Sequence, residues 1–560
     1  MFVRMRQQSY LYELAALFIG LLGLQVATAA DERGNLTVRT ITGVYTGLVN
    51  EDYTNVREFR SIPYAQPPVG SLRWMPPVAV APSGKHRYSQ RFGPTCPQYM
   101  TKNLTLWNSN ITDFKIDMGG QSNTIGAMAQ TSTEDCLSLA IWTPLNISSN
   151  DSLPVAIFIP GGSFTGGGIT VPYQNPAPFV SRHNNIIVVT LNYRVTIMGF
   201  PHAAALDDHN LGIMDQRMAV EWVKANIANF GGDPDRMILW GQSAGAVSAD
   251  LHSWAYYDNP LVRGYFLHSG TAAVQKIPAD PTYTNFTFVA RNLGCDFPND
   301  PAAELACMRQ VPLSQIMNFV GQYQENNTKP SITFKLIPDD KIFFNNYSAR
   351  ADAGLMAKVP ALISTTSNED SSLYDYPVKN VAAGPNMTDV VRLPPSYPLM
   401  LLVTCDLVNR KLTAVRGQDL QTIKGFVCLA SNTTNWRAQN NLTTYRFQYA
   451  GNFSSVTPLG WMGAYHASDI PMIFGTYQLR PGITDEERKT AETMQDYVAA
   501  FIADPENGLR NKGWSPMDKS VAVGGTMLRF AAQHGPLVQE VSTHEVDDAC
   551  VKGAPYNRSP

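Results

Sequence analysis

Charge is scarce in this sequence. Only 16% of its 560 residues are Asp, Glu, Lys or Arg, and 43 basic against 46 acidic side chains leave a formal net charge of −3. So even a balance offers no electrostatic footprint for nucleic acid. Long apolar runs are missing too. After the first thirty residues no stretch approaches the roughly 18 apolar positions of a membrane-crossing helix, so no transmembrane span is expected. Neither a CxxC pair nor a Cys/His cluster has metal-site spacing. No internal repeat and no low-complexity linker divides the chain. What is present is a 44% hydrophobic fraction, enough to build a core and to exclude a chain too polar to fold. Length alone suggests roughly three or four domains, although large α/β enzymes often remain one.

The chain opens like an exported protein. Arg4 and Arg6 precede an apolar run from Leu14 to Val26, and Ala27-Thr28-Ala29 has the small-x-small form of a cleavage site. Residues 1–29 are therefore read as a signal peptide, with cleavage near Ala29 or Ala30. Asn-x-Ser/Thr sequons begin at Asn35, Asn103, Asn110, Asn146, Asn150, Asn285, Asn326, Asn346, Asn386, Asn432, Asn441, Asn452 and Asn557. Roughly five would arise by chance, so the excess points to a glycosylated, secreted protein. In that compartment Cys96, Cys136, Cys295, Cys307, Cys405, Cys428 and Cys550 read as disulfide formers. Their odd number leaves one over, and Cys550, in a C-terminal tail over 541–560, is taken as the unpaired one.

Short apolar runs alternate with helical patterns. Residues 154–159 (PVAIFI), 186–191 (IIVVTL), 237–240 (MILW) and 360–363 (PALI) read as buried strands. Between the second and third, Met214, Met218, Trp222, Val223, Ile227 and Phe230 recur at helical spacing. Gly231-Gly232 should end that helix and Asp233-Pro234 turn the chain. The strand–helix–strand order implies a parallel α/β sheet. The C-terminal third reads as more helical, with 492–503 the best helix.

The most informative stretch is 230–245, FGGDPDRMILWGQSAG. Its end is a G-x-S-x-G that follows a strand and opens a helix, the context of a nucleophile elbow presenting Ser243 above the sheet edge. A serine nucleophile needs a base, and acyl transfer creates an oxyanion that needs donors. A second glycine-rich turn, Pro160-Gly161-Gly162-Ser163-Phe164, follows the 154–159 strand. The amides of Gly162, Ser163 and Ala244 are assigned to an oxyanion hole.

These residues carry a resemblance. The 230–245 stretch resembles the serine-site signature of the type-B carboxylesterase/lipase family, and 134–144 (EDCLSLAIWTP) its second signature. Further similar segments are 60–74, 192–200 and 210–221, so the likeness runs from about 40 to 535. It implies an α/β-hydrolase fold: one large domain over 30–540, a large, mixed, mostly parallel sheet flanked by helices, and a flap over the active-site gorge. It implies a Ser-Glu-His triad in that chain order. Residues 360–371 (PALISTTSNEDS) supply Glu369 as the acid, with Asp370 where glycine is usual and so a competing carboxylate. Gly463-Ala464-Tyr465-His466 matches the histidine segment and makes His466 the base. The other histidines have no comparable context. Asp469 is either a carboxylate supporting the site or a helix cap. Gln242 replaces a frequent glutamate, which removes one charge and should leave the triad untouched. Cys96–Cys136 and Cys295–Cys307 resemble family disulfides, the first enclosing residues 97–135 as the flap, which carries Leu104, Leu106, Trp107, Ile111 and Phe114. Cys405–Cys428 is the third pairing considered.

The implied function is a secreted serine carboxylic-ester hydrolase acting on small to medium apolar esters, with no metal or organic cofactor. A lipase on longer chains remains open, as does a tailoring esterase, lactonase or acyltransferase of secondary metabolism. No aligned Trp makes a choline site. A non-catalytic adhesion role is disfavoured because Ser243, Glu369 and His466 are all present. The sequence assigns no oligomeric state.

Overall fold

The structure, a computed structural model, describes residues 36–117, 125–274, 280–373, 417–518, 524–551 and 554–560. The expected leader, Asn35, Asn386 and Cys405 lie outside the described residues.

An 11-stranded sheet forms the frame. Its strands, numbered along the chain, are β1 (Leu48–Val49), β2 (Val56–Pro63), β3 (Ser138–Pro144), β4 (Leu153–Ile159), β5 (Ile187–Leu191), β6 (Gly232–Gln242), β7 (Gly264–His268), β8 (Ala361–Thr366), β9 (Thr444–Tyr449), β10 (Thr526–Phe530) and β11 (Val538–Ser542). Their spatial order is β11-β10-β9-β8-β7-β6-β4-β5-β3-β2-β1. From β5 to β10 every neighbouring pair is parallel, and the pairs at both flanks are antiparallel. The central strands are apolar on both faces because helices cover both. Ile157, Val189, Leu239 and Ile363 enter one core, and Phe158, Val188, Ile238, Trp240 and Leu362 the other. The helices used below are α1 (Leu211–Asn226), α2 (Ala244–Ala255), α3 (Leu313–Glu325), α4 (Cys428–Gln439), α5 (Asp485–Ala503) and α6 (His544–Val551). Those of α1 and α2 pack into the first core, that of α5 into the second.

Three expectations shift. Helix α1 forms, but its buried face runs through Ile213, Ala219, Val220, Trp222 and Val223, while Met214 and Met218 are only half-buried. The rotation admits Asp215, wholly buried and paired with Arg194 at 2.7 Å, an interaction no apolar periodicity can announce. Asp233-Pro234 does not turn the chain. It lies in β6, whose register against β4 shifts between Gly232 and Met237. Helix α5 begins at Asp485, seven residues before the expected start, because Thr484 and Glu487 form a capping box (Glu487 N–H to Thr484 Oγ1, 3.1 Å).

The cysteines require a correction. Cys96–Cys136 and Cys295–Cys307 pair as the resemblance implies, with Cα–Cα distances of 5.0 and 5.7 Å. The third bond is Cys428–Cys550 (Cα–Cα 5.5 Å), not Cys405–Cys428, so Cys550 is not the unpaired thiol. The reason is tertiary. β11 runs through the boundary expected at residue 540, and α6 then folds back onto the sheet. Arg446 of β9 holds Asp547 there. Val546 and Cys550, one turn apart, meet Val427, Met527 and Val541 in a small apolar cluster at the start of α4.

Closing a span of 122 residues should stabilise the chain by about 5 kcal/mol on a loop-entropy argument. Cys550→Ser is therefore expected to lower the midpoint of urea unfolding markedly. A non-reducing peptide map of the wild type should yield the 428–550 cross-linked peptide; a 405–428 peptide would refute the pairing.

Candidate active site

The site assembles at the carboxyl ends of the parallel strands. β6 ends in Gln242, and Ser243 turns the chain into α2 with φ +56° and ψ −123°, a left-handed backbone rare for a residue with a side chain. Glycines are obligatory on either side. A Cβ on Gly241 would lie 2.0 Å from the Gly245 carbonyl oxygen, and one on Gly245 2.0 Å from that of Ile159. The Ser243 N–H donates to the His268 carbonyl (2.8 Å) at the end of β7, which locks the elbow to the sheet.

Glu369 lies just beyond β8, fully buried. Its Oε1 accepts from the Thr366 N–H and from Ser269 Oγ, both at 2.7 Å. Its Oε2 faces His466 Nδ1 at 2.6 Å. That contact assigns the proton to Nδ1 and leaves Nε2 as the acceptor. The geometry thus separates the two adjacent carboxyls: Glu369 meets the imidazole, and Asp370 makes no hydrogen bond to it. Burial, then the charge of Glu369, pushes the Asp370 carboxyl up to about 8. The Phe426 ring packs on the imidazole with centroids 5.0 Å apart.

Gln242 does not leave the triad untouched. Its side-chain nitrogen lies 3.2 Å from His466 Nε2, the atom a serine base must offer. Ser243 Oγ itself has no hydrogen-bond partner among the described residues. Trp240, on the strand that leads into Ser243, stacks on Phe474 (4.6 Å, 7°), tying that strand to the helix that follows His466.

A second histidine pair was not legible in the sequence. His268 Nε2 meets Asp469 Oδ2 at 2.5 Å, both side chains wholly buried. Asp469 makes no capping side-chain bond to the helix it precedes; its carboxylate meets His268 instead. The only local signal is that His268 closes the short apolar run 264–268 (GYFLH), which was not singled out as a strand from the sequence.

The glycine turn meets Ser243 directly: a Cβ on Gly161 would sit 3.0 Å from Ser243 Cβ. Gly162 (φ +122°) and Ser163 (φ +57°) are exposed at its tip. Their N–H groups donate to no acceptor among the described residues, and the Ala244 N–H is left over at the first position of α2. The disulfide-enclosed segment borders the same place. Leu106 and Ile111 are buried, Leu104 is exposed, and Trp107 packs on Phe114, which meets Tyr465 beside His466 (6.2 Å). Among the described residues no cluster of His, Cys, Asp or Glu could hold a metal, and no helix is long and apolar enough to cross a membrane.

The carboxylesterase family profile matches residues 34–392 and 410–540. The chain is 35% identical to chlorogenic acid esterase of Aspergillus niger, over 94% of this chain and 96% of that one. It is 33% identical to secreted lipase 5 of Gibberella zeae, over 96% and 98%. Lipase 4 of Diutina rugosa is 32% identical over 62% of this chain and 64% of its own. The sheet described above is the α/β-hydrolase fold that membership implies.

A raised Asp370 pKa has a definite consequence. The folded state holds this proton up to about pH 8, whereas an unfolded Asp releases it near pH 4. Stability from this group is therefore present below about pH 4 and lost as pH rises towards 8. Asp370→Asn should remove that loss, so its Tm should gain on the wild type steadily between pH 4 and 8. Parallel Tm profiles would show that Asp370 is ionised in the fold.

Proposed function

This chain belongs to the carboxylesterase family, and from that premise we propose that it is a secreted serine hydrolase of carboxylic esters. Ser243 is the nucleophile, His466 its base and Glu369 the orienting acid. The observation that carries this reading is the 2.6 Å contact of Glu369 with His466 Nδ1, which leaves Nε2 as the acceptor beside Gln242, the residue before the strained Ser243 elbow. On substrate binding, Ser243 Oγ attacks the ester carbonyl and passes its proton to His466 Nε2. The Gln242 amide bond to that atom is long at 3.2 Å, so a hydroxyl donor at about 2.7 Å displaces it readily. The amides of Gly162, Ser163 and Ala244 receive the oxyanion. His466 then protonates the departing alcohol, and water, deprotonated by the same imidazole, clears the acyl-enzyme. The triad and the three amides supply every step, so the reaction calls on no cofactor.

Small to medium esters are the proposed substrates. Longer acyl chains are the second reading, favoured by the near-equal likeness to a secreted lipase and to an esterase. Hydrolysis of p-nitrophenyl esters from C2 to C16 separates them by the chain-length optimum. Ser243→Ala should lower turnover on the order of 10⁶-fold. A folded wild type inert across the series would sink simple ester hydrolysis.

Export and glycosylation follow from the leader, three disulfides and the sequons. Asn103, Asn146, Asn150, Asn326, Asn346, Asn432, Asn441, Asn452 and Asn557 are exposed, whereas Asn110 and Asn285 are half-buried. Asn285 Nδ2, the atom a glycan would take, donates to the Thr333 carbonyl at 3.0 Å. The exposed Asn103 and Asn452 do the same to the Glu325 and Gly460 carbonyls, so it is the half-burial added to that bond that sets Asn285 apart. Glycopeptide mapping of protein secreted from a eukaryotic host should find the exposed sites occupied and Asn285 bare. A fully occupied Asn285 would contradict the local packing.

A further inference from the structure

The turn that carries Gly162 and Ser163 is closed by its own bonds. Gly162 O accepts from the N–H groups of Thr165 and Gly166 at 2.9 and 3.1 Å. Those bonds set the shape of the turn, not its place relative to Ser243. Its place is set from outside. Tyr193 OH donates to the Pro160 carbonyl (3.0 Å), and the Ile169 N–H donates to Asn192 Oδ1 (3.0 Å); both partners follow β5. The third anchor comes from the disulfide-enclosed segment. Gln98 Oε1 accepts from the Gly167 N–H at 3.0 Å, and its Nε2 donates to the Gly167 carbonyl at 3.1 Å.

Gln98 is suited to the task. It is 4% exposed, and its Nε2 also reaches the Cys96 carbonyl (3.2 Å). Its own carbonyl accepts from the Ala129 N–H at 2.9 Å. The fit is close: a Cβ on Gly166 would lie 2.8 Å from Gln98 Oε1. Beyond it the glycines stack without slack. A Cβ on Gly167 would lie 2.2 Å from Gly161 O, and one on Gly162 2.2 Å from Gly166 O. Displacement at Gly167 therefore passes to Gly161 and to Gly162, itself one of the proposed donors and next to Ser163.

We propose that Gln98 is a positioning residue for the oxyanion-binding turn, and that the Cys96–Cys136 disulfide, two residues away, acts on catalysis through it. This rests on the hydrolase reading above. Donors must meet the oxyanion near 3 Å, and a displacement of about 1 Å costs on the order of 100-fold in rate. The effect falls on the tetrahedral intermediate and spares ground-state binding.

The test compares Gln98→Leu, which keeps the volume and removes both bonds, with Gln98→Glu, which keeps only the acceptor for the Gly167 N–H. The readouts are kcat and KM on a p-nitrophenyl ester, corrected for burst titre, and Kd for an alkyl trifluoromethyl ketone that adds Ser243 as a hemiketal. We expect kcat in Q98L to fall about 10- to 100-fold with KM within about 2-fold, the ketone weakening by the same factor. Q98E should fall between Q98L and wild type. Cys96→Ala/Cys136→Ala should lower kcat likewise, and adding Q98L to it should not multiply the loss. If Q98L does not fold, Q98E decides: a matched fall in kcat and ketone affinity supports the proposal. Unchanged kcat per active site in the folded variants, even with a lower Tm, overturns it. A wild type that neither hydrolyses esters nor binds the ketone, like Ser243→Ala, overturns the hydrolase reading and this inference together. A wild type that does both beside an unaffected Q98L or Q98E overturns the role of Gln98 alone.

Discussion

A side chain held at φ +56° is the constraint on which this structure turns. Ser243 keeps that backbone because Gly241 and Gly245 let β6, α2 and the end of β4 close to contact, and because the His268 carbonyl takes its N–H. Strain of this kind, of order 1–3 kcal/mol, persists only where the surroundings over-determine it. Here the surroundings are the middle of a parallel sheet with both faces buried. Gly270 completes the enclosure, since a Cβ there would lie 2.5 Å from Ser243 O.

The tripeptide at the end of β7 registers the other members of the site to that elbow. His268 holds the Ser243 N–H with its carbonyl and Asp469 with its ring. Ser269 donates to Glu369 Oε1, and Asp469 lies three residues beyond His466. Ser243, Glu369 and His466 are therefore referred to a single strand end, although they stand far apart in the chain, Ser243 and Glu369 by more than a hundred residues. Burying Glu369, His268 and Asp469 is costly unless each finds a partner. Their pairing is what converts that cost into fixed geometry. Asp370 is the exception, a carboxyl with no comparable set of donors among the described residues, and burial and the charge of Glu369 raise its proton affinity.

The segment between Cys96 and Cys136 belongs to the same construction. Far from hanging free, its described part is tied down at both ends. Glu325 of α3 accepts from Tyr99, Thr101 and the Lys102 N–H, and Arg480 pairs with Asp113 at 2.6 Å. Next to those ties, Gln98 faces the glycine turn and Phe114 faces the histidine segment. One covalently closed loop thus touches both sides of the site.

Much of this was legible in the linear sequence because it depends on local chemistry. A G-x-S-x-G between an apolar run and a helical pattern can fold in few ways, and the four apolar runs became β4, β5, β6 and β8. The Cys96–Cys136 and Cys295–Cys307 bonds came from family likeness. What stayed hidden was every pairing between distant residues whose partners carry no local mark. Gln242 against His466, His268 against Asp469, Arg194 against Asp215 and Cys428 against Cys550 are of this kind. Periodicity reports which face of an element is apolar, but it says nothing of which polar side chains meet inside. The sequence alone determined the α/β framework and the elbow at Ser243, because sterics at glycine and the burial of apolar strands act within a few residues. Only the tertiary structure decided that Glu369 rather than Asp370 meets His466, since that choice depends on where β7, β8 and the histidine segment come to rest against one another.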